Sequence, residues 1–313
     1  MARVVKLNKK VEEVTWEEAL KHFLFFKKAQ GLTEATVKDY RSRITSFFKR
    51  YNCWQDEMAT KNSILEYMSE EVAPSTYNLR LVYLRAFFNW CIDENYMMFA
   101  NPLKGFKRRK ADARIVDISE ADLKKLLAAP DQTTFVGLRD YAFILLTLDT
   151  GIRPSEARSL RPNDFNFNTL IVHIRAEEAK TRTQRSLPLL PITAKAIRKL
   201  INVRHPEWEE NGTVFCTFEG NHMDRQDWSR RMNYYSKKIE VNILPYDLRH
   251  AFALTWMRNG GHAFGLQSVL GHSDLQMTKR YVHMTSQDLR EQHSRHSPLN
   301  SLTKGKIHRK KNL

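Results

Sequence analysis

Apolar residues recur at helical spacing along most of the chain. The clearest stripe is Tyr40, Ile44, Phe47, Phe48 and Tyr51, which fall on one face of an amphipathic helix. Upstream, Thr15 followed by Glu18 marks a capping-box start for a helix whose apolar side holds Leu20, Phe23 and Leu24. Gly31-Leu32-Thr33 breaks that helix, and Thr33 or Thr36 opens the next. A short helix is predicted over residues 60–69. After Pro74 another runs from 75 to about 93, with Tyr77, Leu81, Leu84, Phe88 and Cys91 on one face. Four helices with aromatic interiors make a small bundle. Aromatics at this spacing read as core rather than as a base-stacking platform.

Beyond residue 115 the pattern changes but stays mainly helical. Ser119 with Asp122 starts a helix through Leu123, Leu126 and Leu127 that Pro130 closes. Residues 138–148 form a strongly apolar helix, and further helices are predicted over 193–203 and about 225–239. Residues 170–174 and 185–190 read as two strands, the one clear β element. The turn between them carries Lys180, Arg182 and Arg185, either to enter a groove or as an ordinary solvated loop. The stretch from Pro245 to Tyr281 reads as three helical pieces. Asn259-Gly260-Gly261 stops the first, Gly271 ends the second, and Ser273 with Gln276 caps a third that carries Tyr281 near its end.

Charge narrows the partners. The 313 residues include 51 Lys and Arg against 35 Asp and Glu, a formal +16, while 42% of residues are hydrophobic. That is a globular chain suited to a polyanion: nucleic acid or an anionic membrane surface. No apolar run approaches the ~20 residues a membrane span needs. The opening MARVVKLNKK leads into Val11-Glu12-Glu13 rather than an apolar segment, so no signal peptide is expected. Three scattered cysteines suit a reducing cytosol, and neither they nor the histidines show metal-ligand spacing, so no metal or other cofactor is expected.

The basic residues also suggest an organisation. Residues 104–114, KGFKRRKADAR, hold six basic residues and one acidic, and read as an extended linker between a bundle (1–103) and a second domain (115–313). Two basic domains on such a linker suit a clamp around duplex DNA. Candidate phosphate contacts are Lys38, Arg41, Arg43, Arg80 and Arg85 on the bundle, Lys107, Arg108 and Arg109 in the linker, and Arg182 in the hairpin turn. Charged helix faces are also commonly just solvated, and both readings stand for the bundle. In the second domain Gly151 breaks the chain and Pro154 opens a helix, which leaves Arg153 at an entrance where backbone N–H groups already favour an anion.

TGIRPSE, a lysine in a β-hairpin turn, DLRHAFAL, LGHS and the closing Tyr281 resemble the tyrosine recombinase (phage integrase) family, in its order and at its spacings. The resemblance implies a SAM-like core-binding bundle followed by the mainly helical catalytic domain of DNA breaking–rejoining enzymes. It implies that Arg153 and Arg249 bind the scissile phosphate and that His272 hydrogen-bonds it. Lys180 would protonate the leaving 5′ oxygen, with Arg182 its competitor in the same turn, and Tyr281 would be the nucleophile of a 3′-phosphotyrosyl link. Two arginines supply charge stabilisation without metal, and a link that keeps the phosphate bond energy is religated without ATP. One position departs from the pattern: Tyr246 stands where the family has histidine. His250 is not an obvious replacement, because one residue along a helix turns it about 100° from Arg249, and it is expected either to support a site residue from behind or to pack.

The resemblance further implies four protomers on duplex DNA, an exchange of C-terminal elements (about 285–313) between them, and an accessory directionality factor. It places the protein in the cytoplasm, on the nucleoid. The expected task is integration or excision of a mobile element, with resolution of plasmid or chromosome dimers as the alternative. Nicking and religation without strand exchange, and a catalytically silent DNA-binding regulator, are the rivals. A silent binder has no need of Arg153, Lys180, Arg249, His272 and Tyr281 together.

Overall fold

A computed structural model of the chain describes residues 14–110, 117–178, 183–208, 212–279, 281, 290, 293–294 and 297–302. The chain divides into two compact units, Met1–Asp112 and Ala113–Leu313.

The first unit is built on α1 (Trp16–Ala29), α2 (Glu34–Arg50), α3 (Glu57–Ser69) and α4 (Pro74–Asp93). Thr15 and Glu18 form the expected reciprocal cap on α1, and Thr33 rather than Thr36 caps α2. Asp56 caps α3 one turn earlier than the pattern suggested. The α2 stripe meets Phe23 of α1 and a wide apolar face of α4, where Phe87 and Trp90 are buried beside the predicted residues. Phe23 packs edge-on against Tyr40 and Phe87, with ring centroids 5.2 and 5.4 Å apart. Each such pair contributes about 0.5–1.5 kcal/mol beyond simple burial.

The linker and three of the candidate arginines find partners within the bundle. Residues 104–110 do not run free, because Leu103 is fully buried and Phe106 packs on the bundle core. Arg85 is not turned outward, since its Nη2 donates to the carbonyls of Leu103 and Phe106 and clamps this segment to α4. Arg80 stacks on Tyr67 at 4.0 Å and pairs with Glu70. Arg109 lies 3.8 Å over the Tyr77 ring, and Asn78 binds its backbone N–H and carbonyl in two bonds. Counting charges missed that these guanidiniums have acceptors inside their own domain. Lys38, Arg41, Arg43, Lys107, Arg108 and Arg109 are exposed.

The second unit is organised around α6 (Phe135–Thr150), buried on nearly every side between α5 (Glu120–Ala128), α8 (Pro191–Asn202) and α10 (Asp247–Arg258). Phe143 at its middle stacks on Trp228 of α9 (Arg225–Lys238), with centroids 4.1 Å apart. An antiparallel sheet of β1 (Phe165–Asn166), β2 (Ile171–Ile174) and β3 (Arg185–Pro188) packs on one flank, with Val172, Ile174 and Leu187 in the core. The two-residue strand β1 is too short to carry an alternating pattern and was not predicted.

The short helix α7 (Pro154–Arg158), α11 (Ala263–Leu270) and α12 (Gln276–Lys279) surround the start of α10. The helix expected to carry Tyr281 is only this one turn. Tyr281 lies just past it, its N–H donating to the Thr278 carbonyl. No helix among the described residues is long and apolar enough to cross a membrane.

Candidate active site

Two left-handed glycines set the site's frame. α6 ends at Gly151 (φ 62°) and α11 at Gly271 (φ 60°), each leaving a helix-end carbonyl for another group to use. At Gly151 a Cβ would lie 2.3 Å from Phe252, so only glycine fits both the turn and the packing. The two carbonyls accept from the two arginines of the motif, crosswise. Arg249 Nη1 donates to Gly151 O at 2.7 Å, and Arg153 Nη2 donates to Gly271 O at 3.0 Å. A guanidinium from α10 is thereby tied to the start of α7, and one from α7 to the turn before α12.

Arg249 is completely buried. Its Nη2 donates to the Leu270 carbonyl at 2.8 Å and to His272 Nε2 at 3.1 Å, while its Nε–H meets no acceptor among the described residues. Guanidinium nitrogens only donate, so His272 Nε2 carries the lone pair. Its Nδ1–H then donates to Thr278 Oγ1 at 2.9 Å, and the imidazole is neutral in this arrangement.

Glu156 holds the arginines from behind. Fully buried, it accepts from the Arg153 backbone N–H, from Arg153 Nη1 at 3.0 Å, and from both Nη atoms of Arg185 at 3.1 and 2.6 Å. Arg185, at the start of β3, also donates through Nε to the Val269 carbonyl. Burial pushes the Glu156 carboxyl up, but the hydrogen bonds and charge of Arg185, with the charge of Arg153, outweigh it and leave the group below its ordinary value. Burial, then repulsion from Arg153, pushes Arg249 down to about 10, so it stays charged at neutral pH. Three guanidiniums against one carboxylate leave a buried excess of positive charge. An anion placed among them would relieve that repulsion and satisfy the open Nε–H.

Tyr281 is 3% exposed, and its hydroxyl lies 2.7 Å from Nδ1 of His250. Tyr246, at the start of α10, is 40% exposed, with its ring edge-on to His250 at 5.1 Å and 5.9 Å from the Arg249 guanidinium. A cavity of about 480 Å³ opens beside Arg153 and Tyr246, lined also by Arg158 and Arg225.

The structure thus gathers Arg153, Tyr246, Arg249, His272 and Tyr281, which are spread over 129 positions of sequence, around the first turn of α10. Lys180 and Arg182 lie outside the described residues. Sequence reasoning missed Glu156, whose place three residues after Arg153 was a legible capping signal. It also missed Arg185 as a partner of that carboxylate and Thr278 as the acceptor that fixes the His272 tautomer. Of the two expectations for His250, support of a site residue or packing, the geometry favours the first: the turn that points it away from Arg249's partners points it at Tyr281. Among the described residues no group of three or more His, Cys, Asp or Glu side chains is placed to hold a metal ion.

A sequence model of the phage integrase family matches residues 117–288. The tyrosine recombinase XerD of Lacticaseibacillus casei is 26% identical over 270 residues, spanning 83% of this chain and 91% of that protein. XerD of Shewanella oneidensis is 29% identical over 286 residues, 86% of this chain and 93% of that one. Among solved structures, the Tn1549 transposon integrase in complex with circular intermediate DNA aligns with a TM-score of 0.69 at 21% identity, over 88% of this chain and 99% of that one. The lambda integrase dimer bound to a COC′ core site aligns with a TM-score of 0.64 at 16% identity, over 84% and 97%. At such identities the solved structures speak for the fold.

Proposed function

The chain belongs to the phage integrase family as a tyrosine-type site-specific DNA recombinase, and from that premise we propose that it cuts and rejoins duplex DNA through a 3′-phosphotyrosyl link to Tyr281. The observation that carries this reading is the buried excess of positive charge made by Arg153, Arg185 and Arg249 beside a buried phenol. Arg153 and Arg249 stabilise the charge that builds on the non-bridging oxygens as the phosphorus becomes five-coordinate. His272 turns from Arg249 to the phosphate with Nε2–H as the donor, its Nδ1 then accepting from the Thr278 hydroxyl. The Tyr281 oxygen bonds to phosphorus, the bond to the 5′ oxygen breaks, and Lys180 supplies the proton that the leaving oxygen takes up. Rejoining runs the same steps backwards, with a 5′ hydroxyl as nucleophile. Tyr246 supplies a hydrogen bond to the phosphate in place of the family's histidine.

DNA is held by a clamp in which Lys38, Arg41, Arg43, Lys107, Arg108, Arg109 and Arg182 contact backbone phosphates. The enzyme works as four protomers on two duplexes in the cytoplasm, exchanging their C-terminal segments and directed by an accessory factor. Integration or excision of a mobile element is the task we favour, and the same steps would serve dimer resolution. The relatives and solved structures that support the reading bear both kinds of name, recombinase and transposon integrase.

The test is to mix the purified protein with fragmented DNA of its source, stop with detergent, and sequence the fragments that stay covalently attached. Wild-type protein is expected to trap a discrete site, and Tyr281→Phe is expected to bind DNA yet trap nothing. Attachment at the ends of an inserted element supports integration, and a single chromosomal locus supports dimer resolution. Adducts formed equally by Tyr281→Phe would overturn the nucleophile.

A further inference from the structure

We propose that His250 is the group that takes the proton from Tyr281, so that the acceptor imidazole of this enzyme sits one helical turn beyond the place where the family has its histidine. The proposal rests on Tyr281 being the nucleophile and adds what activates it.

A phenol with an ordinary pKa of ~10 is a weak nucleophile near neutrality and needs either a base or a strongly cationic setting. The groups that meet in this site differ in their fitness as a base. Arg153 and Arg249 only donate. His272 has its one lone pair, on Nε2, committed to Arg249, and its Nδ1–H to Thr278. Tyr246 is another phenol, a poorer proton acceptor than an imidazole, and it is 40% exposed. His250 is an imidazole whose Nδ1 lies 2.7 Å from the Tyr281 oxygen, within the range for direct proton transfer, and both side chains are buried.

The local fold explains how it gets there. Tyr246 and His250 stand four residues apart at the start of α10, so they share one side of the helix, and their rings are in edge contact. The polypeptide leaving α12 brings Tyr281 to the same side, with its ring 5.7 Å from that of His250. Arg249, about 100° round the helix, faces Gly151, Leu270 and His272 instead. Consecutive residues of one helix therefore serve the two halves of the reaction: Arg249 the phosphate, His250 the nucleophile.

The proton count closes within the protein. With Nδ1 unprotonated, His250 takes the Tyr281 proton as the bond from oxygen to phosphorus forms, and becomes imidazolium. The 5′ oxygen receives its proton from the general acid of the proposed mechanism. In religation the 5′ hydroxyl attacks, Tyr281 leaves, and the imidazolium returns its proton to the phenolate. Among the described residues, Tyr246 and Tyr281 contact His250, Asp247 and Arg249 adjoin it along α10, and through Arg249 it is linked to His272 from the α11–α12 turn, Arg153 and Glu156 at the start of α7, and Arg185 from β3.

The experiment measures single-turnover adduct formation on a nicked substrate built on the mapped site, against pH, for wild type, His250→Gln and His250→Phe. Each variant carries either tyrosine or a more acidic fluorinated tyrosine at position 281. Both variants are expected to bind the site as wild type does and to form adduct about 10²–10⁴-fold more slowly. The wild-type rate is expected to rise with pH through the imidazole range, and that limb is expected to vanish in His250→Gln. Fluorotyrosine, which gives up its proton more easily, is expected to recover part of the lost rate in both variants. A His250→Gln protein with the wild-type rate and pH limb overturns the proposal. So does a slow variant that keeps the limb and gains nothing from fluorotyrosine, because that is the behaviour of a lost packing contact. Wild-type protein that forms no adduct at all overturns the nucleophile assignment instead.

Discussion

Replacing Glu156 by glutamine tests whether the arginine cluster is held by its carboxylate. Each carboxylate oxygen accepts two bonds: Oε1 from Nη1 of both Arg153 and Arg185, and Oε2 from the Arg153 N–H and Arg185 Nη2. An amide has one accepting oxygen, so whichever way it is turned its NH₂ faces two donors, one from each arginine. The variant also removes the carboxylate that faces the buried Arg153 and Arg249 and the half-buried Arg185. Breaking a buried ion pair from one side costs about 3–5 kcal/mol. At about 2–4 °C of melting temperature per kcal/mol for a unit of this size, Glu156→Gln should melt about 10 °C lower, followed by circular dichroism. pH gives a second reading. The folded-state pKa of Glu156 is depressed below the ordinary 4.5, so its contribution is fully present above pH 4.5 and is lost as pH falls through the folded value. The gap between wild type and Glu156→Gln should therefore hold at pH 7 and shrink below pH 4.5. A melting difference under about 2 °C at pH 7, the scale of an exposed pair, would refute the reasoning.

Two further outcomes follow from the proposed chemistry. Lys180→Ala should fail to cut ordinary DNA but cut a 5′-bridging phosphorothiolate, whose sulfur leaves without a proton; no rescue, with DNA binding intact, moves the acid elsewhere, Arg182 first. Tyr246→Phe should slow single-turnover cleavage by about 10–100-fold, a hydrogen bond's worth of ~1–3 kcal/mol, and Tyr246→His should stay active because imidazole also donates. Complete inactivity of the histidine variant would contradict a donor role.

What was legible in the sequence was local. Thr15, Thr33 and Ser119 announced their helices because a cap and its partner lie three residues apart, and the stripe from Tyr40 to Tyr51 announced its buried face by its period. Gly151 and Gly271 were readable as helix stops, and the motif residues on either side of them as candidates. The carbonyls those glycines present to Arg249 and Arg153 were not readable, since the partners stand 98 and 118 residues apart. The bundle arginines failed for the same reason. Arg80 and Arg85 looked like a basic face because their acceptors, the carbonyls of Tyr67, Leu103 and Phe106, belong to other segments and carry no side-chain signature.

His250 shows the opposite hazard, in which a correct local inference says nothing of the second group that the residue meets. The 100° step from Arg249 is real, and it does remove His250 from the arginine's hydrogen bonds. It disqualifies His250 only if the phosphate-binding groups and the nucleophile approach α10 from one direction. Here they approach from two. The carbonyls of Gly151 and Leu270 and the ring of His272 meet Arg249, while Tyr281, delivered by the chain beyond α12, meets the side that Tyr246 and His250 share. A phosphoryl transfer through a phenol asks for both at once: fixed positive charge at the phosphate, and a neutral acceptor at the attacking oxygen kept apart from that charge. Were the imidazole itself bonded among the guanidiniums, as His272 is, its lone pair would be committed and protonation opposed by three neighbouring cations. One turn of helix separates the two requirements, and this explains how the chain can hold a phenol at 246 and still keep a base for Tyr281.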